Sequence, residues 1–322
     1  MIINQWVPAA HKGDAIGDSA RRVRALLRMM GHESELYAMT IDDALRHDVR
    51  PFGDAAGRRG DVTIFHYALP SSMTEAFSSL GSGRVLQYHN VTPASYFAPY
   101  DPSLFRLAAL GREELATLAG RVDLALGDSA YNRQGLDALG FRPTGVFPIA
   151  VDTTRITRPV ERPALDRMLD DGLVNFLFVG RLDVVPRYHS MIRALMAEYR
   201  LRDDRFVFTG PIPDEELAVY YRRAAVYISM SEHEGFCVPL VEAMAADVPV
   251  LAYAAAAVPD TLGGAGVQFA PKDLEYAAEL LGALAFDDGL RASVIAGQRR
   301  RLADFGDARL MRELTALLRT LS

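Results

Sequence analysis

The chain has 322 residues, half of them hydrophobic and 24% charged, with a formal net charge of −6. That length can bury a sizeable core and points to two domains rather than one. The acidic balance argues against general nucleic-acid binding, and the one cysteine, Cys237, excludes an internal disulfide. The histidines show no zinc-ligand spacing. No apolar run approaches the roughly 20 residues that span a bilayer, and Met1-Ile2-Ile3-Asn4-Gln5-Trp6 lacks the basic start and cleavage site of a signal peptide. A cytoplasmic location is therefore expected.

Short apolar, β-rich segments alternate with helical patterns, the signature of α/β units around parallel sheets. In the first half, strands are expected at residues 1–7, 34–39, 61–67, 84–89, 124–127 and 145–148. The helix between the first two carries Ala20, Val23, Leu27 and Met30 on its apolar face and stops at Gly31, a residue that takes left-handed angles freely. Residues 152–163 are polar, hold two prolines and lack an apolar period, so they read as a domain connection. The second half repeats the theme, with strands expected at 175–179, 205–209, 225–229 and 248–252 and helices at 190–199, 215–223 and 274–285. The last helix presents Leu310, Leu314, Leu317 and Leu318 on one face; it either crosses back onto the first domain or caps the second. The expected division is 1–152, 153–305 and a terminal helix at 306–322, giving two doubly wound, Rossmann-like domains with ligands at the carboxyl ends of the strands.

The most informative stretch is Glu234-Gly235-Phe236-Cys237-Val238-Pro239-Leu240-Val241-Glu242. It follows a buried strand ending near Ser229, and Pro239 suits a first helical turn, where its missing N–H costs nothing. A helix is expected to begin near Val238. Free N–H groups and the positive dipole end gather at such a terminus and suit a phosphate. Carboxylates do not bind phosphate, but they accept paired hydrogen bonds from neighbouring hydroxyls. Amides holding a diphosphate, with one Glu on a ribose and the other on a sugar, describe a nucleotide-sugar. The alternative reading makes Glu242 a surface helix residue and Glu234 an ordinary capping carboxylate.

From Glu234 to Glu242 the sequence resembles the E-x7-E signature of retaining glycosyltransferases of family 4. Phe176-Leu177-Phe178-Val179-Gly180-Arg181-Leu182 resembles that family's strand-Gly-Arg phosphate loop, and Val146-Phe147-Pro148-Ile149-Ala150-Val151-Asp152 its interdomain segment. Val258-Pro259-Asp260-Thr261-Leu262-Gly263-Gly264-Ala265-Gly266 resembles the segment that closes the donor site. The resemblance covers most of the chain and implies the GT-B fold, two Rossmann-like domains facing a central cleft.

It also implies roles. Donor contacts fall on Gly180, Arg181, Arg187, Gly210, Ile212, Glu234, Gly235, Phe236, Cys237, Val238 and Glu242, with Arg187 standing one residue beyond the usual lysine position. Arg181 would hold the leaving diphosphate, while Glu234 and His89 would orient the sugar; a histidine at a strand end is otherwise an ordinary structural group, the preferred reading for His66. Gly13, Asp14 and Ala15 lie where relatives carry Gly-Gly, so Asp14 either meets an acceptor hydroxyl or caps the helix. Cys237 stands where relatives often have Gly and reads as a packing residue, because no activating base is evident nearby.

The activity so implied is transfer of a sugar from an α-linked UDP- or GDP-sugar to a hydroxyl acceptor with retention, in bacterial glycan or glycoconjugate synthesis. No Asp-x-Asp pair is present, so no catalytic metal and no cofactor beyond the donor are expected. No nucleic-acid partner or transmembrane segment is expected, and peripheral membrane contact and oligomeric state stay open. The rivals are a GT-B nucleotide-sugar epimerase, a sugar phosphorylase and a non-catalytic nucleotide-sugar-binding protein.

Overall fold

A computed structural model of the chain describes residues 1–53, 55–180 and 188–321. The strands of the first sheet are β1 (Ile3–Ala10), β2 (Leu36–Ile41), β3 (Arg50–Pro51), β4 (Val62–Tyr67), β5 (Gly83–Tyr88), β6 (Leu124–Gly127) and β7 (Thr144–Val146). They lie in the order β3-β2-β1-β4-β5-β6-β7 and pair in parallel throughout, with Gln5 opposite Ile64 and Leu86 opposite Ala125. Helices cover both faces, so the central strands read as nearly continuous apolar runs. Trp6, Phe65, Tyr67, Phe77 and Phe141 pack on one side, and Ile3, Leu27, Val85 and Leu124 on the other. The order changes direction between β1 and β4, which opens a crevice beyond the carboxyl ends of those strands.

The helix Ala15–Met29 buries Ala20, Val23, Leu26 and Leu27. Asp14 caps it by accepting from the Gly17 N–H at 2.9 Å, and Gly31 ends the turn at φ +84°. A side-chain cap of this kind stabilises by about 1 kcal/mol.

The second sheet comprises β8 (Phe176–Leu177), β9 (Val226–Ser229), β10 (Val250–Tyr253) and β11 (Val267–Phe269), in the parallel order β11-β10-β9-β8. Its core contains Tyr227, Leu240, Val241, Met244, Val250 and Leu262. The strand expected at 205–209 is absent: a 3-10 turn spans Asp203–Arg205, and the backbone beyond it is in no ladder. The apolar alternation there is β-like, but the edge it would join, β8, is two residues long, and Phe206 and Val207 remain exposed. Conversely, β3 and β11 are too short to carry a pattern legible in sequence.

The terminal helix Asp307–Arg319 returns to the first sheet. Leu310, Leu314 and Leu318 join the core formed by Ile3, Val23, Leu26, Leu27 and Val62. Each buried leucine of this kind is worth roughly 1.5–3 kcal/mol, enough to bind the end of the chain to its beginning. Arg22 fixes the same junction with ion pairs to Asp307 at 2.6 Å and Asp152 at 3.3 Å.

Candidate active site

β9 ends at Ser229, and the chain then turns through Ser231–Cys237 into the helix Val238–Ala245. Pro239 sits in the first turn of that helix, and Cys237 precedes it in left-handed backbone at φ 70°, ψ 73°. A non-glycine residue pays a steric penalty there, a physical reason for the glycine that the family resemblance implies at this place. Burial, then the nearby Glu234 carboxylate, push the Cys237 thiol well above the ordinary range, and the side chain packs in the core of the second domain. The loop is tied from behind. The Ala257 N–H donates to the Glu234 carbonyl at 3.2 Å, and the Thr261 hydroxyl donates to the Phe236 carbonyl. Phe236 itself is buried, edge-on to Phe305 at 5.6 Å. Burial raises the Glu234 carboxyl above its usual range, against hydrogen bonds from Ser231 and Cys237 that lower it.

The first domain meets this loop directly. Asn90, at φ 74° just beyond β5, donates through Nδ2 to His233 Nε2 at 2.8 Å while its Oδ1 accepts from the Tyr88 hydroxyl at 3.2 Å. His233 lies among the rings of Tyr96 and Tyr131, 5.5 and 6.0 Å away. Gly235 approaches so closely that a Cβ on it would stand 2.7 Å from the Asn90 Cβ and 3.0 Å from the His89 carbonyl. Only glycine permits that approach. A further tie runs from the Tyr131 N–H to Asp260 at 2.7 Å.

His89 differs from expectation in its direction. Its ring is 1% exposed and turned into the first domain, where Nδ1 lies 2.9 Å from Asp128 Oδ2 and Nε2 lies 2.8 Å from His66 Nδ1. Both ring nitrogens are therefore engaged, and it is the His89 backbone carbonyl that faces the Gly235 loop. His66, expected to be structural, is the second member of this chain of bonds.

Glu242 is 1% exposed at the core of the second domain. Its carboxylate accepts from the Arg155 guanidinium on Oε1 and from the Tyr221 hydroxyl at 2.9 Å on Oε2. Arg155 belongs to the short helix Thr154–Thr157 in the connection, and its other amino group also faces Asp214 at 3.4 Å and Asp18 at 3.9 Å. One guanidinium thus joins the first helix of the first domain to two helices of the second. Nothing in the polar connection singled out Arg155; the signal available was only that a buried carboxylate needs a cation.

The remaining expected positions are placed as follows. Gly180 is exposed beyond β8, whereas Arg181 and Arg187 lie outside the described residues. Gly210 is exposed with φ +64°, and Ile212 is half-buried before the helix Asp214–Arg223. Gly13 is exposed with φ +79°; Asp14 is spent on the helix cap; Ala15 opens that helix. A cavity of about 610 Å³ lies between the domains, bordered by Asp128, Phe236, Asp260, Arg301, Phe305 and Arg309 among others. Among the described residues, no group of three or more His, Cys, Asp or Glu is arranged for a metal, and no helix is long and apolar enough to cross a membrane.

Comparison with known proteins bears on this arrangement. A family profile described as "Glycosyl transferases group 1" matches residues 161–287, which include both Glu234 and Glu242. The chain is 32% identical over 80 residues to the O-antigen chain mannosyltransferase B of Escherichia coli, a match covering 25% of this chain and 21% of that protein. The chain thus spans about a fifth of that relative's length. Among solved structures, sucrose-phosphate synthase from Thermosynechococcus elongatus superposes with a TM-score of 0.72 at 18% identity, covering 100% of this chain and 99% of that one. HepE of Anabaena, in complex with UDP-glucose, superposes with a TM-score of 0.71 at 14% identity, covering 99% and 100%. With two parallel-sheet domains and whole-length superposition on these structures, the chain has the GT-B fold, and its second half is similar to the group 1 glycosyl transferases.

Proposed function

We propose that the protein is a retaining glycosyltransferase of family 4 that moves a hexosyl group from an α-linked nucleotide-sugar to a hydroxyl acceptor. The observation that carries this reading is the meeting of Glu234 and Gly235, at the start of the helix Val238–Ala245, with the strand-end turn His89–Asn90 of the other domain. Donor and acceptor held on opposite walls become reactants of an effectively unimolecular step.

The amides at the start of the Val238–Ala245 helix supply fixed positive dipole for the donor diphosphate, with Arg181 adding a guanidinium fork. Charge grows on the leaving phosphate as the glycosidic bond breaks, and preorganised donors stabilise it most at that moment. The departing phosphate oxygen takes the acceptor proton on the face of attack, so no protein base is required. Glu234, with its carboxyl raised by burial, accepts from sugar hydroxyls at modest desolvation cost. Glu242 meets the ribose only by sharing its carboxylate with Arg155 and Tyr221.

The HepE complex makes UDP-glucose one donor to test, and the mannosyltransferase relative makes a nucleotide-linked mannose another. A thermal-shift panel of UDP-, GDP- and ADP-sugars, followed by mass spectrometry of incubations with sugar and polyol acceptors, tests the reading. Stabilisation by one donor and an acceptor heavier by one hexose support it. A changed nucleotide-sugar without acceptor would indicate an epimerase, and binding without turnover a non-catalytic protein.

A further inference from the structure

Five buried side chains form a line beneath the junction of the two domains: Gln5, His66, His89, Asp128 and Gln87. Its proton content follows from donor and acceptor counting. The Gln5 amide nitrogen donates to the Ala20 carbonyl at 3.0 Å, which can only accept, so the Gln5 oxygen faces His66 Nε2 at 2.9 Å. His66 Nε2 therefore carries hydrogen. Burial and the neighbouring His89 hold the His66 imidazole well below the ordinary histidine range, so it is neutral and its Nδ1 is bare. The bond at that nitrogen must come from His89 Nε2. The ring planes are 5° apart, and the 5.1 Å between centroids is what one hydrogen bond and two ring radii span, so the rings lie in line, as an N–H···N bond requires.

At the other end, Asp128 accepts from Gln87 Nε2 at 2.7 Å and meets His89 Nδ1 at 2.9 Å. Its side chain is 0% exposed. An ionised carboxylate at that depth without a cation costs several kcal/mol, and among the described residues no arginine or lysine is a hydrogen-bond or ion-pair partner of it. An additional proton on the chain makes the unit neutral and completes every bond.

We propose that His66, His89 and Asp128 act as one positioning unit, with His89 doubly protonated between the Asp128 carboxylate and neutral His66. Asp128 and His66 are positioning residues: they hold the His89–Asn90 turn, whose carbonyl and left-handed Asn90 meet Gly235 and His233. Only the kinetic consequence rests on the glycosyltransferase reading; the protonation pattern does not.

The test is nitrogen NMR of the full chain with ring-labelled histidine at pH 7.5, without any substrate. Two histidine rings are expected to show a nitrogen–nitrogen coupling across their shared hydrogen bond, which assigns the pair without a variant, and one of the two is expected to bear hydrogen on both nitrogens. Asp128→Asn should return that ring to the neutral form, and Asp128→Glu should keep it charged. In a transfer assay, Asp128→Asn should lower kcat at least tenfold with donor KM little changed, and Asp128→Glu should recover much of it. A coupled pair in which each ring has a bare nitrogen overturns the proposal, as does a folded Asp128→Asn variant with an unchanged ring pattern. If the pattern appears but no sugar is transferred, the glycosyltransferase reading fails and the proton assignment stands.

Discussion

The guanidinium of Arg155, in the segment joining the two sheets, donates to the buried carboxylate of Glu242, one turn into the helix that follows the E-x7-E loop. The connection between domains is thereby clamped to the wall of the proposed donor site, and Asp18 and Asp214 extend the same cluster to two further helices.

Arg155→Ala should strand the Glu242 carboxylate in the core with Tyr221 as its remaining partner. Leaving a buried charge unpaired costs about 3 kcal/mol, so urea denaturation should show a loss of that order. The double substitution Arg155→Met with Glu242→Gln should recover part of it. A single variant as stable as the parent would mean that water reaches Glu242 and that the pair contributes little.

Gly235→Ala should separate the two walls, because the added methyl would stand 2.7 Å from the Asn90 Cβ and 3.0 Å from the His89 carbonyl. These two atoms belong to the turn after β5 and cannot swing aside as the end of a flexible side chain would; the Asn132 amide, 3.1 Å from the same point, crowds it further. Transfer should fall at least tenfold while nucleoside diphosphate affinity changes little. Small-angle scattering in the presence of UDP or GDP should show less compaction than for the parent. Undiminished turnover in the alanine variant would remove the domain contact from the mechanism.

Stability should fall as pH drops below about 6.5. His66 is held well below its ordinary range by burial and then by His89, and His233 is lowered by burial and then by Arg112. Below the unfolded histidine value, the unfolded chain binds protons that these two folded sites refuse, so unfolding is favoured; above it, neither state is charged and the effect vanishes. For His66 the slope approaches about 1.4 kcal/mol per pH unit, and His233 adds in the same direction. Urea midpoints should fall from about pH 6 to about pH 5, with a smaller fall in His233→Gln. The window lies below the unfolded histidine value because His89, charged in the fold, contributes in the opposite direction above it. Equal midpoints across that lower window in the parent would contradict both shifts.

Activity should survive EDTA, since helix amides and arginine can neutralise the donor phosphates without a cation. Loss restored by Mg²⁺ or Mn²⁺ would require carboxylate ligands that the sequence does not offer at the usual spacing.

Much of the architecture was legible because parallel strands buried on both faces are short apolar runs with punctuated ends, as at Val62–Tyr67 and Val226–Ser229. The exception at 205–209 shows the limit of that signal: alternation records what a segment could pair with, and β8 offers too short an edge. In the site, glycine at 235 is required by the approach of His89 and Asn90, far away in sequence, and not by unusual backbone angles of its own, whereas the helix start at Val238 was readable from local backbone chemistry. The Arg155–Glu242 pair and the inward turn of His89 were not, because they link positions 87 and 39 residues apart, and sequence spacing does not say which carboxylate a cation reaches.

The account is tested most directly by the anomeric configuration of the product. Proton NMR of a reaction containing α-linked GDP-mannose or UDP-glucose and a hydroxyl acceptor reads the anomeric proton while the nucleoside diphosphate is released. An α-linked glycoside is predicted, from a single displacement on one face of the sugar. A β-linked product would contradict the retaining mechanism, and stable donor with no product under any nucleotide-sugar would contradict the transferase reading itself.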